Sequence, residues 1–139
     1  MKRIICFDIG DKRIGVAVSD PFGSMALPVE TYYRKNFETD LAALVKMAAD
    51  RPADVIVCGL PLNVDGTPSE QTAKTQSFVE ELKKHTNIPI EFQDERYSTK
   101  EAHRVLISQN MRREKRKSYV DSVAASFILE DYMRRTAGK

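Results

Sequence analysis

The chain has 139 residues, enough for one hydrophobic core and the size of a single domain. Its composition, 42% hydrophobic and 30% charged, is typical of a globular protein, and no apolar run approaches the roughly 18 residues of a membrane span. The formal net charge is only +2, but residues 1–95 contain 11 Lys and Arg against 15 Asp and Glu, whereas residues 96–139 contain 11 against 5. We therefore expect one cytoplasmic domain without a membrane segment, whose basic C-terminal third suits a polyanionic partner or a solvated surface.

The first predicted elements are a β-hairpin and a third strand. Residues 3–9 and 13–19 are rich in β-branched and apolar side chains, and a three-residue connection containing glycine and aspartate joins them. A third strand is expected near residues 25–30, where Pro28 favours the edge or the end of a strand. The short connections between these strands favour antiparallel pairing.

The middle of the chain alternates helices and strands. Apolar residues recur at helical spacing over residues 37–48, which predicts an amphipathic helix. Residues 54–60 form a continuous apolar run that is typical of a strand covered on both faces. A polar loop follows, and Ser69 is a predicted N-cap for a second helix that ends near residue 85. Residues 88–94 then alternate apolar and polar side chains as a strand does.

The C-terminal third is predicted to contain two helices. Ser98 begins a capping box, which predicts a helix over about residues 99–109. Residues 110–118 are mostly basic and lack an apolar anchor, so we expect an exposed loop. A last helix with one apolar stripe is expected over about residues 119–134. The element order predicts an α/β fold with a mixed five-stranded sheet, three antiparallel strands followed by parallel ones, flanked by helices.

The cysteines and histidines do not form a metal-binding pattern. Cys6 and Cys58 lie in apolar strands, where we expect buried, reduced thiols. His85 and His103 are isolated and match neither HxH nor HExxH spacing. Any metal ion bound by this chain is therefore expected to have oxygen ligands.

Several carboxylates lie at the ends of predicted elements. Asp8 lies near the end of the first strand, Asp94 and Glu95 end the fifth, and Asp121 lies in the first turn of the last helix. If these elements meet at one end of the sheet, the acidic groups repel each other unless a cation lies between them, and oxygen ligands select Mg²⁺ or Mn²⁺. Two such ions can activate water for phosphodiester hydrolysis. Solvated or salt-bridged carboxylates are also common at strand ends, so the pattern alone leaves both interpretations open.

Four segments carry a resemblance to a known family. They read "FDIGDKRIGVAVSD" at 7–20, "GLPLNVDGTPSEQT" at 59–72, "DERYST" at 94–99 and "DSVAASFILEDYM" at 121–133. In this order they resemble the YqgF/RuvX family of Holliday-junction resolvases, also described as pre-16S rRNA nucleases, which have the RNase H-like fold. The resemblance implies one RNase H-like nuclease domain over residues 1–139 and a metal-dependent endonuclease.

The resemblance also implies the catalytic residues. Carried over position by position, it gives Asp8, Glu95 and Asp121 as catalytic, metal-binding carboxylates, with two Mg²⁺ or Mn²⁺ ions as cofactors. Asp94 is an acidic neighbour with a less certain role. Because adjacent residues of a strand point to opposite faces, only one of Asp94 and Glu95 can face the site, and we favour Glu95.

Candidate nucleic-acid contacts surround these carboxylates. They lie at the hairpin tip, in the polar loop after the fourth strand, beside the acidic pair and in the basic segment, where each neutralised phosphate adds salt-dependent affinity. Every one of them could instead have a structural or solvated role, as could Gly10 and Gly15 in the hairpin. The candidates are Lys12, Arg13, Asn63, Thr67, Arg96, Ser98, Thr99, Arg112, Arg113, Lys115, Arg116 and Lys117.

Several functions remain open at this stage. The leading hypothesis is processing of pre-16S rRNA in ribosome biogenesis, and the alternative is a resolvase of branched DNA. A nucleic-acid-binding assembly factor with little catalysis is a further alternative. The first hairpin also looks like the phosphate-binding hairpin of actin-like ATPases and sugar kinases, but those proteins clamp ATP between two such domains. A homodimer would favour DNA junctions because a junction needs two sites related by symmetry, whereas a monomer would favour RNA.

Overall fold

The computed structural model describes residues 2–95 and 113–137, and the side chains of residues 2–95 and 119–137. The described chain forms five strands and three helices. The strands are β1 (Ile4–Ile9), β2 (Arg13–Ser19), β3 (Ala26–Tyr33), β4 (Val55–Leu60) and β5 (Ile90–Asp94), and the helices are α1 (Phe37–Asp50), α2 (Glu70–Lys83) and α3 (Arg113–Thr136). The helix predicted over residues 99–109 lies outside the described residues.

The five strands form one mixed sheet in the order β3-β2-β1-β4-β5. β1 pairs antiparallel with β2, and β2 pairs antiparallel with β3. β4 runs parallel to β1, and β5 runs parallel to β4. The α/β fold with three antiparallel strands followed by parallel ones is thus confirmed. β3 is an edge strand, as the proline at position 28 predicted, and its pairing with β2 shifts register between Val16 and Ala17.

Side chains of the sheet alternate between two covered faces. Ile5, Phe7 and Ile9 of β1 pack with apolar residues of α1 and α2, which cover what we call the two-helix face. Cys6, between them, packs with Ile128 and Leu129 of α3, which covers the α3 face. The carboxyl ends of β1, β4 and β5 lie on the same side of the sheet because these strands are parallel. We call this side the carboxyl edge, and the candidate site lies there.

Local sequence signals account for the helix starts on the two-helix face. Asn36 caps α1 by accepting a hydrogen bond from the Thr39 backbone nitrogen at 2.9 Å. Ser69 caps α2 and forms a capping box with Thr72. The Ser69 cap was predicted and the Asn36 cap was not; together with the apolar stripes they fix where these two helices begin and which side they bury.

The last helix is longer than its sequence suggested. α3 begins at Arg113, so the prediction of a loop over residues 113–118 was wrong. Arginine, lysine and glutamate have high helix propensity, and a solvated helical turn needs no apolar anchor. The absence of an apolar stripe therefore did not indicate an irregular segment here.

Both cysteines are buried free thiols, as predicted. Burial raises the pKa of Cys6 well above its usual value and raises the pKa of Cys58 to about 12. Neither thiol is therefore ionised at neutral pH. Among the described helices, none is long and apolar enough to cross a membrane.

Candidate active site

The parallel strands bring Asp8 and Glu95 to the same edge of the sheet. Asp8 is the penultimate residue of β1, and Glu95 directly follows β5. The strand between them is β4, and the Glu95 backbone nitrogen donates to the carbonyl oxygen of Leu60 at 3.2 Å. This hydrogen bond continues the β4–β5 ladder through Glu95, so the position of its backbone is fixed by the sheet.

Strand alternation places Glu95, rather than Asp94, on the same face as Asp8. Asp8 lies two residues beyond Cys6, which packs against α3. On β5, Gln93 accepts a hydrogen bond from Arg135 of α3 at 2.8 Å, and Glu95 lies two residues beyond it. Both carboxylates therefore project from the α3 face, as the preference for Glu95 over Asp94 required.

The two carboxyl groups share a poorly solvated environment. Burial, followed by the charge of Asp8 and a hydrogen bond with it, raises the pKa of Glu95 to about 10. Burial also raises the pKa of Asp8, and the negative charge of Asp121 adds to that effect. The Oε2 atom of Glu95 is buried and has no hydrogen-bonding partner among the described residues. A pair of this kind holds a proton or needs a cation.

Asp121 lies beside this pair but is held by an arginine. The Nε atom of Arg13, at the start of β2, donates to Asp121 Oδ2 at 2.8 Å, and both side chains are partly exposed. Within the described residues, no three acidic, cysteine or histidine side chains form a group that could hold a metal ion. The structure thus joins Asp8 with Glu95 and keeps Asp121 nearby in an ion pair with Arg13.

Two glycines create the space for this arrangement. A Cβ atom on Gly59 of β4 would overlap Glu95 Oε2 and lie 2.9 Å from Ile128 Cδ1. A Cβ atom on Gly15 of β2, opposite Asp8 in the sheet, would overlap the carbonyl group of Asp121. Gly59 therefore leaves room for the Glu95 carboxylate, and Gly15 lets the backbone of α3 approach β2. The sequence left the role of Gly15 open and did not single out Gly59, although a glycine at the end of a buried strand often marks a close approach.

The polar loop after β4 satisfies most of its own hydrogen-bonding groups. The Asn63 amide nitrogen donates to Thr67 Oγ1 at 2.9 Å, and that hydroxyl lies 2.6 Å from Asp65 Oδ1. The backbone nitrogen of Asn63 also donates to the carbonyl of Thr67 at 2.9 Å. Asn63 and Thr67 therefore shape the loop at the carboxyl edge, and their contact with nucleic acid stays a prediction.

The other candidate nucleic-acid contacts lie at the hairpin tip, at the start of α3 or outside the described residues. Lys12 is exposed at the tip of the β1–β2 hairpin, next to Arg13. The backbone of residues 113–117 belongs to the first turns of α3, which places Arg113, Lys115, Arg116 and Lys117 on a helix. Arg96, Ser98, Thr99 and Arg112 lie outside the described residues.

The buried acidic pair predicts an unusual pH dependence of stability. Because the pKa of Glu95 is raised from 4.5 to about 10 in the folded chain, the folded state keeps a proton that the unfolded state releases. The free energy of unfolding should therefore fall as pH rises through this window in the presence of EDTA. Glu95→Gln removes the free-energy cost of keeping that proton in the folded state, and it should raise the free energy of unfolding at neutral pH by about 2 kcal/mol.

Urea unfolding followed by circular dichroism at several pH values measures this effect. The matched control is Glu80→Gln, a glutamate on α2 whose side chain is 68% exposed. We expect the stability gain of Glu95→Gln to vanish near the usual glutamate pKa. A gain that is the same at every pH, or that Glu80→Gln reproduces, would contradict the assignment.

The chain has an RNase H-like fold, which it shares with solved Holliday junction resolvases. RuvC of T. thermophilus, solved with a Holliday junction, superposes with a TM-score of 0.63 at 12% identity over 100% of this chain and 99% of that chain. The fowlpox virus resolvase, solved with Holliday junction DNA, gives a TM-score of 0.58 at 15% identity over 97% and 99% of the two chains. At these identities the likeness establishes the fold.

Sequence comparison identifies the family. Residues 2–135 match the family model described as "RuvX: Holliday junction resolvase". A protein of Clostridium acetobutylicum named "Putative pre-16S rRNA nuclease" is 44% identical over 131 residues, which cover 94% of this chain and 97% of that protein. The chain therefore belongs to the RuvX family, and the resemblance drawn from its four motifs is confirmed.

Proposed function

We propose that this chain is a divalent-metal-dependent endonuclease that hydrolyses nucleic-acid phosphodiesters. One observation carries the proposal: Asp8 and Glu95 lie together at the carboxyl edge of the sheet, with raised pKa values and an unpartnered buried oxygen at Glu95. Membership of a resolvase family supports the same reaction class.

The residues at this edge fit a hard divalent cation. Asp8, Glu95 and Asp121 offer carboxylate oxygens, which Mg²⁺ and Mn²⁺ prefer as ligands. A bound cation would also relieve the repulsion between the negative carboxylates. Asp8, Glu95 and Asp121 are the ligands we propose for two such ions. When bound, the ions supply an activated water and stabilise the leaving oxygen.

Arg13 has a distinct part in this proposal. Its guanidinium is paired with Asp121 at 2.8 Å, so Asp121 must exchange this partner to bind a cation. The released guanidinium then lies at the same edge, where it can bind a phosphate oxygen of the substrate with paired N–H donors. The chain thereby orients a phosphodiester beside the carboxylates.

For the substrate, we favour the 16S rRNA precursor, cut by a cytoplasmic enzyme during ribosome biogenesis. The name of the C. acetobutylicum relative supports this choice. The family description and the two resolvase structures support branched DNA as the alternative. The predicted contacts of the hairpin tip, the polar loop and the basic start of α3 serve either polyanion, because phosphate contacts carry no sequence information.

Cleavage assays with matched variants test the proposal. Purified protein is incubated with labelled 16S rRNA precursor, a mobile four-way DNA junction or single-stranded RNA, in Mg²⁺, Mn²⁺ or EDTA. Wild type is expected to cut one substrate only with metal, while Asp8→Asn and Glu95→Gln bind that substrate without cutting it. The control is Asp50→Asn, which removes one exposed carboxylate at the end of α1 and should leave cleavage unchanged.

Other outcomes separate the alternatives. If wild type and Asp8→Asn cut alike, or if neither cuts, the catalytic proposal fails for these substrates. Salt-sensitive binding without cutting would then support the assembly factor. Light scattering of the substrate complex adds a second discriminator, because a junction resolvase needs two symmetry-related sites and a protein acting on single-stranded RNA needs one.

A further inference from the structure

A second concave surface lies on the two-helix face of the sheet. It is a groove of about 880 Å³ between the tip of the β1–β2 hairpin, the β3–α1 connection and the first half of α2. We call it the basic groove and define it by the following residues: Lys12, Lys35, Phe37 and Lys74. Asp8, Glu95 and Asp121 do not line it. Lys12 of the groove and Arg13, which binds Asp121, are neighbours at the hairpin tip.

The positive charge of the groove is only partly neutralised. The Arg34 guanidinium is already bound within the fold. Its Nε donates to the buried Asp40 at 2.9 Å, and its Nη1 donates to the Gly10 carbonyl at 2.9 Å. Lys74 lies 3.8 Å from Asp11, and both side chains are more than half exposed, so this ion pair is weak. Lys12 and Lys35 form no ion pair with any described residue. The groove therefore presents surplus positive charge.

One aromatic ring is exposed in the same groove. Phe37 at the start of α1 is 46% exposed, and it packs edge-to-face against the buried Phe78, with ring centroids 5.7 Å apart. The Arg34 guanidinium lies 4.9 Å from the centroid of Phe78. These contacts hold the Phe37 ring at the groove. Tyr33 is 59% exposed, but it pairs with Arg13, whose side chain binds Asp121 of α3, so its ring projects from the α3 face.

Thr75 of α2 lies under the wall of the groove. It is almost fully buried, and its Oγ1 atom has no hydrogen-bonding partner among the described residues. Because this oxygen is itself inaccessible from the surface, it is not a contact for a ligand in the groove. The features that coincide in the groove are positive charge and one exposed aromatic ring.

We propose that the basic groove binds a single-stranded segment of nucleic acid, with a base stacked on Phe37 and phosphates near Lys12, Lys35 and Lys74. A basic track with an exposed aromatic platform is the chemistry that recognises single strands without sequence preference. The inference rests on the proposed function for the class of ligand. It adds a second contact surface, which receives the strand after it passes the hairpin tip.

Binding measured without metal tests the groove separately from cleavage. Fluorescence anisotropy of a short labelled oligouridylate is recorded in EDTA at several salt concentrations. The double variant Lys35→Gln and Lys74→Gln is expected to bind about tenfold more weakly at low salt and to lower the salt dependence of binding. The control is Lys46→Gln with Lys84→Gln, which removes the same charge from exposed lysines outside the groove and should change affinity less than about twofold.

The stacking contact has its own variant pair. Phe37→Leu is expected to weaken binding at least about fivefold, whereas Phe37→Tyr keeps the ring and should bind like wild type. Thermal midpoints are measured beside the affinities, because Phe37 also packs against Phe78. Equal effects of the two lysine pairs, or wild-type binding by Phe37→Leu, would overturn the proposal.

The result is also distinguishable from failure of the proposed function. If Asp8→Asn stops cleavage but the groove variants bind normally, only the groove inference fails. If the groove variants lose binding and wild type never cuts, the nuclease proposal fails but the inference that the groove binds single strands stands. A fully double-stranded RNA competitor should displace the oligouridylate poorly, and equal competition would contradict single-strand binding.

Discussion

Gly59→Ala is expected to reduce metal-dependent cleavage at least about a hundredfold while the chain still folds. The new Cβ atom would overlap Glu95 Oε2 and lie 3.0 Å from Glu95 Cδ. Both atoms belong to the far part of a flexible side chain, so the carboxylate can move away at little cost. The variant therefore tests the position of Glu95, since its chemistry is unchanged.

The same change on a Glu95→Gln background separates position from packing. Glutamine has the size of glutamate, so it meets the same steric conflict with a residue-59 methyl group. If the packing effect of Gly59→Ala depends only on the shape of the side chain at position 95, it should shift the thermal midpoint equally in wild type and in Glu95→Gln. Thermal midpoints of the four proteins complete this cycle, and cleavage is compared between wild type and Gly59→Ala. Wild-type cleavage by Gly59→Ala, at an unchanged thermal midpoint, would remove Glu95 from the catalytic site.

Local sequence signals predicted the frame of this site well. Runs of β-branched and apolar residues predicted β1 and β2, alternation predicted β5, and the Ser69 cap predicted the start of α2. Strand alternation predicted that only one of Asp94 and Glu95 faces the site, and the family resemblance implied Glu95. The β4–β5 ladder stays regular through Leu60 and Glu95, which puts Glu95 on the face of Asp8. Features that depend on neighbours along the chain, or on the pleat of a regular strand, are accessible to sequence reasoning.

Features that depend on distant partners were not accessible. The ion pair between Arg13 and Asp121 joins residues 108 positions apart, and no local pattern indicates it. The place of Gly59 at the end of a buried strand indicates a close approach, but it does not indicate that the approaching group is the Glu95 side chain. The prediction of where α3 begins was wrong for a different reason: a solvated helical turn of lysine, arginine and glutamate has no apolar periodicity to detect.

The contact between β2 and α3 depends on the absence of a side chain at position 15. A Cβ atom there would overlap the carbonyl group of Asp121 and lie 3.1 Å from the backbone nitrogen of Ser122. These are backbone atoms within a helix, so they cannot rotate away as a side chain can. Relief would require α3 to move as a unit, although Ala125, Ile128 and Leu129 anchor it in the core.

Gly15→Ala is therefore expected to destabilise the fold by about 3 kcal/mol, near the upper end of the usual cost of overpacking. Urea unfolding measures the loss, and circular dichroism is the suitable probe because the chain contains no tryptophan. Gly59→Ala is the matched control: it makes the same chemical change two strands away, but there the obstructing atoms belong to side chains. We expect the Gly59 variant to stay within about 1 kcal/mol of wild type. Equal unfolding midpoints for the two variants would show that α3 yields as readily as a side chain, and the close helix approach at Gly15 would then not be what positions Asp121.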